Sequence, residues 1–150
     1  MGETNYDDIL DFAVKREYEA VQFYKELQNI TKFASQKEML EEIQKMEESH
    51  AKLLESMKTK KPQELRSRTV ESFEPDDYLV EAPPAPDMSL QDILITAMKR
   101  EERSYALYTE LKQQTDDEEL LKTFDVLAGE ETQHKKFFEE LYDTQVRPDN

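Results

Sequence analysis

The sequence repeats itself once, and that repeat limits its architecture more than any other feature. At an offset of 84 positions, Ala13-Val14-Lys15-Arg16-Glu17 matches Ala97-Met98-Lys99-Arg100-Glu101, and Tyr24-Lys25-Glu26-Leu27 matches Tyr108-Thr109-Glu110-Leu111. Glu47-Glu48-Ser49-His50 recurs as Glu131-Thr132-Gln133-His134, and these stretches hold the only two histidines of the chain. In each the Glu precedes the His by three residues, so on a helix the carboxylate and imidazole share a face. Two copies are too few for a solenoid, whereas two helical hairpins about a pseudo-two-fold axis make a four-helix bundle. The fold class expected is therefore all-α: a four-helix bundle of two repeated hairpins joined by a long crossover linker.

The periodicity places the helices within one domain spanning 1–150. The first, about 5–31, carries Leu10, Ala13, Ala20, Tyr24 and Leu27 on one stripe with Glu17 among them; Asn5 or Thr4 caps its start, and Asp7, Asp8 and Asp11 suit the positive end of its dipole. The second, about 35–58, opens on a capping box, Ser35-Gln36-Lys37-Glu38, and its expected buried side is Leu40, Ile43, Met46, Leu53, Leu54 and Met57 with Glu47 and His50. The turn between them is short, so the pair should be antiparallel, with Glu17 and Glu47 at nearly one level. From 59 to 88 five prolines interrupt any period, and this stretch reads as the linker, with Phe73, Tyr78, Leu79 and Val80 suited to packing on the helices. A third helix, about 89–114, is capped within Ser89 to Asp92 and buries Leu90, Leu94, Ala97, Glu101, Ser104, Tyr108 and Leu111. The fourth, about 116–143, starts from Thr115-Asp116-Asp117-Glu118 and buries Leu120 or Leu121, Phe124, Leu127, Phe138 and Leu141 with Glu131 and His134.

Charge narrows the partners. A net charge of -15, with no basic run on any face, repels phosphate backbones and argues against nucleic acid. No stretch approaches membrane-spanning length, and Met1 to Leu10 has neither a basic region nor an apolar run, so a cytoplasmic location is the default expectation. The long linker also permits a homodimer, with or without exchange of a hairpin between chains.

Four glutamates on core faces need an explanation, because desolvating a lone carboxylate costs several kcal/mol. Meeting in one interior without cations, they would repel and several would have to be protonated. Two divalent metals remove that conflict, and two neutral imidazoles complete the set. The ligand set read from the sequence is Glu17, Glu47, His50, Glu101, Glu131 and His134. With no cysteine there is no thiolate site, and a donor set of carboxylate and imidazole suits iron or manganese, while zinc would also occupy it in a purified sample.

The pattern Glu17-x-x-Ala20-x-x-Phe23-Tyr24, Glu47-x-x-His50, Glu101 with Tyr108, and Glu131-x-x-His134 resembles the rubrerythrin branch of the ferritin-like di-iron carboxylate superfamily over all four helices. The resemblance implies two Fe ions bridged by Glu47 and Glu131, with Glu17 and Glu101 as terminal ligands and one histidine on each iron. It also implies that Tyr24 and Tyr108 lie beside the cluster as second-layer catalytic residues; ordinary core packing would account for them equally. Two departures stand out. The chain has no cysteine-held rubredoxin domain, so electrons must come from a separate donor such as a rubredoxin, and it has Ser104 about where rubrerythrins place an additional ligand Glu. The function implied is an oxidoreductase reducing hydrogen peroxide or dioxygen, a role in oxidative stress. The alternatives are a ferroxidase that handles iron and a non-catalytic metal-binding bundle.

Overall fold

The computed structural model describes residues 4–60, 69–70, 73–80 and 88–146. Four long helices account for most of these: α1 Tyr6–Gln28, α2 Lys37–Lys60, α3 Leu90–Gln113 and α4 Glu118–Gln145. They fall into two compact units, Met1–Asp77 with α1 and α2, and Tyr78–Asn150 with α3 and α4.

The first unit is an antiparallel hairpin whose contacts step up one helix as they step down the other. Lys58 pairs with Asp11 and lies 3.9 Å from Asp7, the Tyr18 hydroxyl donates to Glu55 at 2.9 Å, and nearer the turn Gln28 donates to Gln44 at 2.7 Å. Asn5 caps α1, its side chain accepting the Asp8 N–H at 2.9 Å. Between the helices runs a 3-10 segment, Thr31–Gln36, kinked at Phe33, whose ring is buried under the connection. This segment takes up residues assigned from sequence to both helices: α1 stops at Gln28 and α2 begins only at Lys37.

The core face of α2 differs from the expected one at two positions. Leu40, Ile43, Leu54 and Met57 are buried as expected, but Met46 and Leu53 are 37% and 40% exposed. Stepping by three and four from Leu40 passes through Ile43, Glu47, His50, Leu54 and Met57. Met46 and Leu53 each sit one residue, about 100°, off that line.

A two-residue strand β1 (Thr4–Asn5) pairs antiparallel with β2 (Thr69–Val70), Thr4 opposite Val70 and Asn5 opposite Thr69. The expected packing of Phe73 is present, its ring meeting Phe12 edge-on at 5.7 Å. Tyr78, Leu79 and Val80 are half-buried. Residues 61–68, 71–72 and 81–87 of the linker lie outside the described residues.

The second unit repeats the hairpin. Ser89 caps α3 by accepting the Asp92 N–H at 3.0 Å, and Lys112 meets Asp125 at 2.8 Å across the turn. Its core holds Ile93, Leu94, Ala97, Leu107, Tyr108 and Leu111 from α3 with Leu120, Phe124, Leu127 and Phe138 from α4; Leu121 and Leu141 are half-buried. The cap of α4 is Asp117, which accepts the Leu120 N–H at 3.1 Å, while Thr115 accepts the Asp117 N–H from just outside the helix. Asp117→Ala is expected to cost about 1 kcal/mol, the usual value of a lost N-cap, read as a lower urea midpoint.

Candidate metal centre

Each hairpin carries one carboxylate from its first helix and a Glu-x-x-His pair from its second. In the first, Glu17, Glu47 and His50 are 1%, 1% and 2% exposed; in the second, Glu101, Glu131 and His134 are 1%, 0% and 7% exposed. Local sequence makes the space. Ala13 and Ala20 stand a turn to either side of Glu17, and Ala97 stands a turn before Glu101, so the neighbouring turns on the buried face carry small side chains. All six residues assigned as ligands from sequence are thus buried, and each triad converges.

In the first hairpin, His50 Nδ1 lies 2.8 Å from Glu17 Oε2 and 3.3 Å from Glu47 Oε1. In the second, His134 Nδ1 lies 3.5 Å from Glu101 Oε2. Within each triad every residue offers a donor atom, and these atoms all lie within 4.8 Å of one another. Donors sharing one ion at roughly 2.0–2.2 Å are separated by no more than about twice that bond length, so only small adjustments separate each triad from a ligand set. The donor chemistry fits as well: two hard carboxylates and one imidazole per hairpin, with no sulfur.

Electrostatics in the metal-free state show what a cation replaces. Burial by itself disfavours a charged His50, but its hydrogen bonds with Glu17 and Glu47 and their negative charge override this and push its pKa up to about 11. A proton on His50 therefore neutralises part of the carboxylate charge, and it must leave for the ring to bind a metal.

Tyr24 and Tyr108 are buried two turns beyond Glu17 and Glu101. Tyr24 meets the Phe23 ring edge-on at 5.2 Å, and Tyr108 stacks on Phe124 at 6.2 Å. Ser104, one turn after Glu101, is half-buried.

The sequence reading missed a cavity of about 280 Å³ in the second hairpin, lined by Glu101, Glu102, Tyr105, Glu131, Thr132 and Lys135. Its signal was present where the two repeats diverge: Tyr105 and Lys135 stand where the first hairpin has Val21 and Ala51.

Comparison with known proteins agrees with this arrangement. A crystal structure from Thermotoga maritima, described as a ferritin-like diiron-carboxylate protein, superposes with a TM-score of 0.80 at 23% identity, over 94% of this chain and 96% of that one. A hypothetical protein from Pyrococcus furiosus gives a TM-score of 0.72 at 26% identity, over 92% and 88%. The fold is thus the ferritin-like, all-α four-helix bundle. The rubrerythrin family model matches residues 8–142, and the chain belongs to that family. No functionally curated protein shows significant similarity. Family membership and the buried carboxylate–imidazole triads together support a di-iron protein. Among the described residues, no helix is long and apolar enough to cross a membrane.

Proposed function

We propose that the protein is an oxidoreductase that reduces hydrogen peroxide or dioxygen, with Glu17, Glu47, His50, Glu101, Glu131 and His134 holding two irons. The observation that carries this is the recurrence of one buried Glu/Glu/His triad at matching positions of both hairpins. When bound, the iron pair supplies the two electrons that cleave the O–O bond, H2O2 + 2H⁺ + 2e⁻ giving 2H2O.

The chain's own residues hold the charge, exclude water and deliver protons. Four carboxylates offset the charge of two divalent cations, and burial of 0–7% exposure keeps bulk water from competing for them. His50 and His134 serve as neutral ligands, so the proton held by His50 in the metal-free state leaves on loading. Helical side chains lean towards the N-terminus, which directs Tyr24 and Tyr108 back towards the levels of Glu17 and Glu101. There their hydroxyls would be placed to donate protons to the peroxide or dioxygen being reduced. These 150 residues contain no cysteine to hold an electron-transfer centre, so on this reading the reducing electrons come from a donor outside them, such as a rubredoxin.

The test is anaerobic iron loading followed by titration with peroxide and with dioxygen, read by absorbance and metal content. Peroxide is expected to oxidise the ferrous protein faster than air. Tyr24→Phe and Tyr108→Phe should slow that oxidation, on the order of a hundredfold when both hydroxyls are removed, at unchanged iron content. Oxidation by air at the same or greater speed would remove the peroxidase reading and leave dioxygen reduction or iron oxidation as the reaction.

A further inference from the structure

The cavity of the second hairpin reaches two buried carboxylates, Glu101 and Glu131, from a surface where Tyr105 is 47% exposed. At its mouth Lys135 Nζ sits 3.0 Å from Glu102 Oε1, their side chains 33% and 54% exposed. Glu102 follows Glu101 directly on α3, and Lys135 follows His134 on α4, so the mouth is built from the immediate neighbours of the buried triad.

The first hairpin is built differently at the corresponding positions. Tyr18 replaces Glu102, Val21 replaces Tyr105, Glu48 replaces Thr132 and Ala51 replaces Lys135. Val21 and Ala51 are only 7% and 0% exposed, so small apolar side chains fill the place of the mouth residues, and Tyr18 is tied across the hairpin to Glu55.

We propose that divalent cations reach the buried carboxylates through this cavity, with Glu102 as the carboxylate that first receives them and Lys135 as the side chain that must release it. The proposal rests on the ligand assignment above. At about 30 Å³ per water, the volume accommodates an ion that still carries several waters. A neutral oxidant gains nothing from an ion pair at the mouth, whereas a cation gains a carboxylate on its way from solvent to Glu101 and Glu131. An exposed ion pair contributes about 1 kcal/mol or less, so thermal opening of Lys135 from Glu102 is frequent. The pair therefore lowers the fraction of time that Glu102 is free to receive a cation, which slows loading and leaves its end point unchanged.

Stopped-flow mixing of metal-free protein with Co(II), followed by visible absorbance, tests this. Glu102→Gln is expected to slow uptake about tenfold at low salt, the lower end of electrostatic steering effects, with the same final metal content. Lys135→Met should speed uptake, and should have no effect once Glu102 is Gln. Glu48→Gln, at the position equivalent to Thr132, should leave the rate as in wild type. Equal final metal content certifies that each variant is intact. Full uptake at unchanged rates in both mouth variants, or slowing by Glu48→Gln as large as that by Glu102→Gln, would overturn this route and leave the ligand assignment standing. A wild-type chain that never takes up Co(II) would overturn both.

Discussion

The Glu131→Leu protein is expected to bind far less iron than wild type, and yet its metal-free form should withstand more urea. Glu131 is 0% exposed on α4 and shares its interior with Glu101. In the metal-free protein these carboxyl groups are desolvated without a cation that would offset their charge. Replacing buried ionic groups with apolar ones of similar volume is often neutral or stabilising by about 1–4 kcal/mol. Leucine keeps most of the volume, so the cavity penalty of a truncation to alanine is avoided. Metal content after anaerobic loading and the urea midpoint of chelator-treated protein measure the two effects. A metal-free variant that unfolds at lower urea than wild type would show that Glu131 stabilises the fold itself, and the case for a cation in the second triad would weaken accordingly.

The second large effect is on pH. His50 has a folded-state pKa of about 11 against an ordinary 6.5, because its contacts with Glu17 and Glu47 outweigh the opposing effect of burial. A raised histidine pKa stabilises the metal-free fold fully below about pH 6.5, and that contribution falls away as pH rises towards about 11. Metal binding has the opposite dependence. Since the imidazole must lose its proton to coordinate, affinity at the first triad should rise about tenfold per pH unit between pH 7 and 10. Competition with a chelator of known pH dependence measures it, and His50→Ala should remove most of the slope. A flat profile in wild type would mean that His50 is neutral before the metal arrives, against its geometry with Glu17.

How much of this was legible in the sequence depended on the kind of signal. The helices and the six buried carboxylate and imidazole positions could be read because a repeat marks the same positions twice, and because a Glu within an apolar stripe is costly enough to demand a partner. Met46 and Leu53 misled because hydrophobicity alone does not resolve a rotation of one residue about a helix axis; the buried line is fixed by Glu47 and His50, and both leucine and methionine tolerate half-exposure. The start of α4 was misplaced by two residues because Thr115 and Asp117 are both competent caps, and which one bonds to the helix depends on how the preceding turn closes. The cavity was legible only as a difference between halves, Lys135 against Ala51, and a search for likeness passes over differences.

The pairing of β1 with β2 bears on how independent the two hairpins are. Thr69 lies beside Asn5 and Phe73 rests on Phe12, so the first half of the crossover is already fastened to the hairpin it leaves. Eleven residue steps separate Tyr78 from the cap of α3 at Ser89, which bounds that link at about 40 Å when fully extended. Any exchange of hairpins between two molecules would have to be spanned within that length.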